Sequence, residues 1–213
     1  MRVARRGPYQ LKRRAASVAQ TRQRCIDAAR LVIAERGLHR LTLSEVARAA
    51  SVSRPAVYQQ FGSKLSLIDA VTRDLDRRGG YEHLLAALMI EDPVDSLFAS
   101  IRAGYAVYAC DPDLFRQLYG VAAGDPAVAS LMAMRESGRR DVISRLATRL
   151  ASSNRLRSGV TREEAMAVLL AITHFTTFDQ LHTASGLRPA VDIAISVLTR
   201  SLLIDTPTAS GQE

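Results

Sequence analysis

Residues Thr42 to Lys64, TLSEVARAASVSRPAVYQQFGSK, constrain this chain more than any other stretch. They read as two short helices joined by a tight turn, followed by the start of a third. Thr42 and Glu45 have capping-box spacing, in which the hydroxyl takes one free backbone N–H and the carboxylate takes another. Leu43, Val46 and Ala47 then form an apolar stripe at helical spacing. The stripe ends at Ala49-Ala50-Ser51, and Val52 is a short apolar plug. Ser53 is placed to cap a second helix. Pro55 is tolerated in its first turn, because that N–H has no helical partner anyway. Val57 and Phe61 face inward, Gly62 stops the helix, and Ser63 caps the next one.

A helix this short cannot bury two opposite faces, and its outward face needs a reason. It holds Arg54, Pro55, Ala56, Tyr58, Gln59 and Gln60, with no acid among them. A guanidinium suits guanine, an amide suits adenine, and Pro or Ala can meet a thymine methyl in a major groove. Helix–turn–helix geometry puts the second helix there. An ordinary solvated hairpin is the plain alternative. Lys64 adds a separate argument. It stands in the first turn of a helix, where the macrodipole disfavours a cation by roughly 0.3–1 kcal/mol. A phosphate at that point would reverse the sign, whereas without one the side chain swings into water.

Residues 21–75 resemble the DNA-binding region of the TetR family of transcriptional regulators. The likeness rests on AERG at 34–37, TLSEVA at 42–47, VSRPAVYQQF at 52–61 and GSK-x-x-L at 62–67. It covers about a quarter of the chain. It implies an all-helical homodimer with a small DNA-binding head and a larger ligand-binding body. One residue departs from the family pattern: the turn usually carries Gly where this chain has Ser51. If that position needs a positive φ, Ser costs on the order of 1 kcal/mol.

The charge is placed unevenly along the 213 residues. Residues 1–78 hold 17 Lys or Arg against 6 Asp or Glu, whereas residues 79–213 hold 12 against 15. One-sided basicity beside the recognition helix points to nucleic acid rather than a generally sticky surface. No run of 18 uncharged apolar residues exists, which argues against a membrane span, and the basic N-terminus is not followed by the apolar stretch of a secretory signal. Cys25 and Cys110 have no metal spacing and read as buried thiols, in keeping with a cytoplasmic protein.

Taken in order, residues 1–17 are a basic arm expected to be disordered. Arg5, Arg6, Lys12, Arg13 and Arg14 are its candidate DNA contacts. The head spans 18–78. Its first helix, 18–36, is given a core side of Ile26, Ala29, Leu31, Val32 and Ile33, and its fourth runs over 63–78. The body spans 79–205. Asp92-Pro93, Asp111-Pro112 and Asp125-Pro126 each set a capping Asp before a Pro, opening helices near 93–109, 112–121 and 126–152. A short helix near 81–89 precedes them. Thr161 and Glu164 open a long helix to about Ser185, and Pro189 opens the last, to about Ile204. The tail 206–213 is expected to fray. No strand alternation occurs, so the fold class is all-α. The last two helices carry more apolar surface than one packed side needs, and the resemblance implies a homodimer built through them.

An apolar cavity lined by Ile101, Tyr105, Tyr108, Phe115, Leu118, Tyr119, Met132, His174, Phe175 and Phe178 would suit a small hydrophobic effector of unknown identity. His174 and His182, eight residues apart on one expected helix, have no sulfur or acidic ligand beside them, so no metal or other cofactor is expected.

The leading expectation is a ligand-responsive regulator, most often a repressor in this family, acting on a palindromic operator. Thr42, Ser53, Tyr58 and Lys64 would hold phosphates, and Arg54, Pro55, Ala56, Gln59 and Gln60 would face bases. The alternative is a DNA-binding dimer without a small-molecule effector, acting structurally or through a protein partner. Walker A, G-x-S-x-G, H-E-x-x-H and dinucleotide patterns are all missing, which argues against an enzyme.

Overall fold

The computed structural model describes the backbone of residues 8–204 and side chains from Ala16 onward. The described residues are helical throughout apart from connections and one antiparallel bridge between Leu156 and Leu203. The helices are α1 (Pro8–Arg36), α2 (Leu43–Ala49), α3 (Arg54–Phe61), α4 (Lys64–Arg78), α5 (Tyr81–Ala87), α6 (Pro93–Ala109), α7 (Pro112–Ala122), α8 (Pro126–Ser152), α9 (Arg162–Ile172), α10 (Phe175–Ser185) and α11 (Leu187–Leu202), with a 3-10 turn at Leu38–Arg40. None is long and apolar enough to cross a membrane.

The chain divides into two compact units. One contains the residues up to Asp74 together with Arg116–Ala129. The other contains Leu75–Phe115 and the residues from Ser130 on. The division falls inside α4, a few residues before the boundary drawn at Arg78 from the sequence. It also places 116–129, read as body, with the first unit.

In the first unit, Cys25, Ile26, Ala29, Val32 and Ile33 of α1 are buried with Leu38, Leu41, Leu43, Val46, Val57 and Phe61. Leu31 is not among them: it is 61% exposed. Two residues on from Ala29, it lies roughly 160° round the helix from that buried side. The helix also begins at Pro8 rather than at 18. Proline presets the first-turn φ, and no Gly or Pro interrupts 9–36. Arg5 and Arg6 of the expected arm lie outside the described residues, as does the tail 206–213. Lys12, Arg13 and Arg14 fall on the early part of α1.

In the second unit, the three Asp-Pro starts fall where the spacing puts them. Asp92 accepts from the N–H groups of Val94 and Asp95, Asp111 from Leu114, and Asp125 from Ala127 and Val128. The helix expected over 161–185 is instead two helices, broken at Thr173-His174. Each of the last four carbonyls of α9 meets a side-chain donor. Thr173 Oγ1 donates to Leu169 O (2.7 Å), Arg139 Nη1 to Leu170 O (2.9 Å), Thr177 Oγ1 to Ala171 O (2.7 Å) and Tyr105 OH to Ile172 O (2.8 Å). With its free carbonyls answered, α9 can stop without a glycine. His174 therefore shares no helix with His182. It is the N-cap of α10, its Nδ1 accepting from the Thr176 N–H, whereas His182 stacks on Phe178. The last helix starts at Leu187, just after Gly186 at φ 84°, two residues before Pro189. Cys25 is fully buried, and burial pushes its thiol pKa up against the pull of Arg24 and Arg22. Cys110, at the end of α6, is only half-buried.

Candidate nucleic-acid interface

Thr42 caps α2 by accepting from the Glu45 N–H (3.1 Å). The box is not reciprocal as expected. Glu45 turns its carboxylate to Arg36 (3.1 Å) and to the Thr42 hydroxyl (3.4 Å). The helix ends in a Schellman arrangement, with Ser51 N bonded to Arg48 O (3.2 Å) and Val52 N to Ala47 O (3.0 Å). This closure needs a left-handed residue, and Ser51 has φ 52°. The strain foreseen for the missing glycine is therefore present, and the turn keeps its geometry in spite of it.

Ser53 caps α3 through the Ala56 N–H (3.3 Å), and Gly62, at φ 71°, ends it. Val57 and Phe61 are buried. Arg54, Pro55, Tyr58 and Gln59 are exposed, while Ala56 and Gln60 are partly so. The Arg54 guanidinium carbon stands 5.5 Å from the Tyr58 ring centre, so the cation and phenol share one surface. Thr42 and Ser53 are exposed as well. Ser63 caps α4 through the Ser66 N–H (3.1 Å). The Lys64 Nζ lies 3.4 Å from the His39 carbonyl, in an exposed contact.

Three residues without a sequence signal brace the first unit, two of them at the recognition helix and its turn and one at the end of α1. Arg22 donates to Gln60 O (3.0 Å) and lies 4.6 Å over the Phe61 ring, fixing the end of α3. Arg24 donates to the carbonyls of Ala50 and Ser51, fixing the turn. Gln117 accepts from the Leu38 N–H (2.7 Å) and donates to Ile33 O (3.2 Å), as a peptide group would. The two arginines registered in the sequence only as positive charge, and nothing near Gln117 marks it.

The ten residues expected to line a cavity are divided. Leu118 is buried and Tyr119 half-buried in the first unit. The other eight are in the second, where Ile101, Tyr105, Phe115, Met132, Phe175 and Phe178 are buried. The rings there touch one another: Tyr105 meets Phe178 at 5.0 Å, and Tyr108 meets Phe115 at 5.1 Å and both Phe175 and Phe178 at 5.4 Å. Burial and the hydroxyl of Tyr108 nearby push the Tyr105 pKa up to about 12.

The family model for "Bacterial regulatory proteins, tetR family" matches residues 26–71, from the core of α1 into α4. The uncharacterized HTH-type transcriptional regulator TtgW of Pseudomonas putida is 34% identical over 104 residues, 42% of this chain and 78% of that protein. The chain belongs to the TetR family. A second TetR-family likeness is to the HTH-type transcriptional regulator AlkX of Mycobacterium tuberculosis, 33% identical over 117 residues, 55% of this chain and 49% of AlkX. The chain thus spans about half the length of that relative. Among solved structures, NalD of Pseudomonas aeruginosa superposes with a TM-score of 0.70 at 21% identity, over 90% of this chain and 100% of NalD, a likeness of fold. These curated relatives are transcriptional regulators by name, and the TetR family model covers the helix–turn–helix of this chain.

Proposed function

We propose that this TetR-family chain is a cytoplasmic repressor that binds a palindromic operator as a homodimer and is released by a small apolar effector. The observation that carries the reading is the outward side of α3. Arg54, Pro55, Tyr58 and Gln59 lie open, while Arg22 holds the end of the helix and Arg24 its turn. A rigid, uncovered, acid-free helix face beside a basic segment suits major-groove readout. Arg54, Pro55, Ala56, Gln59 and Gln60 would meet bases. Thr42, Ser53, Tyr58 and Lys64 would hold phosphates, Thr42 after its hydroxyl leaves Glu45 and Lys64 after its ammonium leaves His39. Lys12, Arg13 and Arg14, with Arg5 and Arg6, would add phosphate contacts from the arm.

Pairing rests on α11, where Ile193 and Val197, one turn apart, are each 41% exposed although Val191, Ala194 and Leu198 are buried. A second copy would cover them, and a two-fold pair would read two half-sites. Selection of bound DNA from a random pool tests the operator, with a palindrome expected. Arg54→Ala should then cost roughly 1–3 kcal/mol and relax one base-pair position. An equal loss on every sequence would make Arg54 a phosphate contact, and a non-palindromic site would remove the dimeric readout.

The contact of ring on ring around Tyr108 favours one other reading, a DNA-binding dimer with no small-molecule effector and a filled body. A ligand-screened melting assay separates the two. An effector raises the melting temperature as its concentration exceeds its dissociation constant.

A further inference from the structure

The buried side of α6 includes a half-buried glycine. Ser96, Leu97, Ser100, Ile101, Ala103, Tyr105 and Val107 are buried. At 100° per residue, Gly104 falls inside that arc, about 20° from Leu97 and 40° from both Ser100 and Tyr108. A Cβ built on Gly104 nevertheless meets nothing within 4 Å. The contrast with Gly79 is sharp, since there a Cβ would stand 2.6 Å from the Val107 Cα. Close packing explains the glycine at 79 and leaves the one at 104 without a packing reason.

One turn before Gly104, Ser100 is only 5% exposed, and its Oγ has no hydrogen-bond partner among the described residues. The serine one turn earlier is fully used: Ser96 Oγ donates to Ala87 O (2.8 Å) and accepts from Arg149 (2.9 Å). A buried hydroxyl left unpaired is an unmet demand for a polar partner. One turn after Gly104 stands the half-buried Tyr108 with Phe115, Phe175 and Phe178 around its ring.

We propose that the space over Gly104, with the Ser100 hydroxyl at one end and the Tyr108 ring at the other, is a subsite for an uncharged aromatic group bearing one hydrogen-bonding oxygen. The aromatic end follows from the rings, which accept another ring edge-on. The oxygen follows from Ser100, which can donate to it or accept from it. Neutrality follows from the charges. Arg135, whose guanidinium carbon lies 5.9 Å from the Phe115 ring centre, is committed to Asp76 through both terminal nitrogens at 2.6 and 2.8 Å. Arg135 is therefore not available to neutralise a buried ligand charge. The subsite deepens the effector reading and rests on it.

The test uses the full chain with 2-naphthol, naphthalene and 2-naphthoate. The chain has no tryptophan, so naphthyl fluorescence can be followed beyond the tyrosine band. Wild type should bind 2-naphthol about tenfold tighter than naphthalene, as expected for one added hydrogen bond to a buried partner, and 2-naphthoate at least as weakly as naphthalene. Ser100→Ala should erase the preference for 2-naphthol and leave naphthalene binding unchanged. Gly104→Leu, which fills the space, should weaken both neutral probes at least tenfold. Gly104→Ala should do so less, and melting curves should show both glycine variants folded. Binding unaltered in Gly104→Leu, a preference retained in Ser100→Ala, or no binding by wild type would each overturn the subsite. The selected operator separates the two claims. If 2-naphthol binds in this pattern and the operator stays bound, the subsite stands and release by this ligand class falls. If 2-naphthol frees the operator from wild type and Gly104→Leu alike, the effector reading stands and the subsite falls.

Discussion

The helices are interrupted in two contrasting ways, at the α2–α3 turn and at the α9–α10 break. The first is closed mainly from within. Ser51 and Val52 bond back to carbonyls three and five residues earlier, and the next cap, Ser53, follows at once. The second is closed from a distance. The donors to Leu169, Leu170, Ala171 and Ile172 come from residues 4, 31, 6 and 67 positions away. A turn built from neighbours survives as a motif. A break built from distant side chains exists only when the rest of the unit is folded around it.

The largest expected effect is at the distant end of that contrast. Arg139 is 17% exposed and donates to Leu170 O, to Thr173 Oγ1 (2.8 Å) and to Glu136 (2.6 Å). Arg139→Met keeps the stem and removes every donor. It should cost about 2–3 kcal/mol, because an acceptor of the helix end and a carboxylate lose their partner together. Chemical denaturation measures the loss. A cost below about 0.5 kcal/mol would show that Thr173, Thr177 and Tyr105 hold the break without Arg139.

This contrast also explains what sequence reasoning reached. The cap at Thr42, the cap at Ser53, the stop at Gly62 and the three Asp-Pro starts are all local chemistry, and the residues that show them sit within four positions of one another. The outward set on α3 followed from the same stretch. The break at Thr173-His174 did not, because Val168, Leu169 and Ile172 continue into Phe175 and Phe178 at helical spacing, and no Gly or Pro intervenes. Leu31 was misplaced for a different reason. In the run Leu31-Val32-Ile33 all three are apolar, yet helical spacing alone sets Leu31 roughly 160° from Ala29, so its exposure was legible in the sequence. Arg22, Arg24 and Gln117 were unreadable because a side chain that serves a distant backbone carbonyl leaves no periodic trace.

Tyr105 gives the next effect. Tyr105→Phe removes the donor to Ile172 O and should cost about 1–2 kcal/mol near neutral pH. The difference should also depend on pH. The folded phenol has its pKa raised to about 12 from 10.0, so between those values the unfolded chain loses the proton first. The unfolded state then binds fewer protons, and wild-type stability falls as pH rises through that window. The gap between wild type and Tyr105→Phe should therefore narrow from pH 10 upward. A gap that stays constant would mean that the phenol ionises in the folded protein as it does in water.

Ser51→Gly tests the local end and should act in the opposite direction. The left-handed conformation at φ 52° is strained for Ser and free for Gly, so the variant should gain on the order of 1 kcal/mol. Asn154 provides the internal control. It holds φ 51° in the same Schellman position after α8, where Asn N bonds to Ala151 O and Arg155 N to Leu150 O. Asn tolerates this region better than Ser, so Asn154→Gly should gain less. Equal gains at both positions would mean that general turn flexibility, and not the Ser51 backbone, sets the effect.

The smallest effect separates two caps with the same sequence signature. Glu164 closes its box fully, accepting from the Thr161 N–H and hydroxyl, each at 2.8 Å. The Thr161 N–H, then its hydroxyl, hold the Glu164 carboxyl below its ordinary value of 4.5. Its contribution is therefore present above that value and is lost as pH falls through the lower folded one. Glu45 instead faces Arg36, with side-chain exposures of 27% and 46%, and such a pair is worth roughly 0–1 kcal/mol. The two substitutions should thus respond to different variables. The melting-temperature loss from Glu164→Ala should fade in acid and respond to salt only weakly, because its short hydrogen bonds to a neighbouring backbone are screened less than a separated ion pair. The loss from Glu45→Ala should shrink as salt is raised at neutral pH, because an exposed ion pair is screened within about 10 Å at 0.1 M. If both losses were salt-insensitive, Glu45 would be acting through the Thr42 hydroxyl rather than through Arg36, and the two caps would work alike.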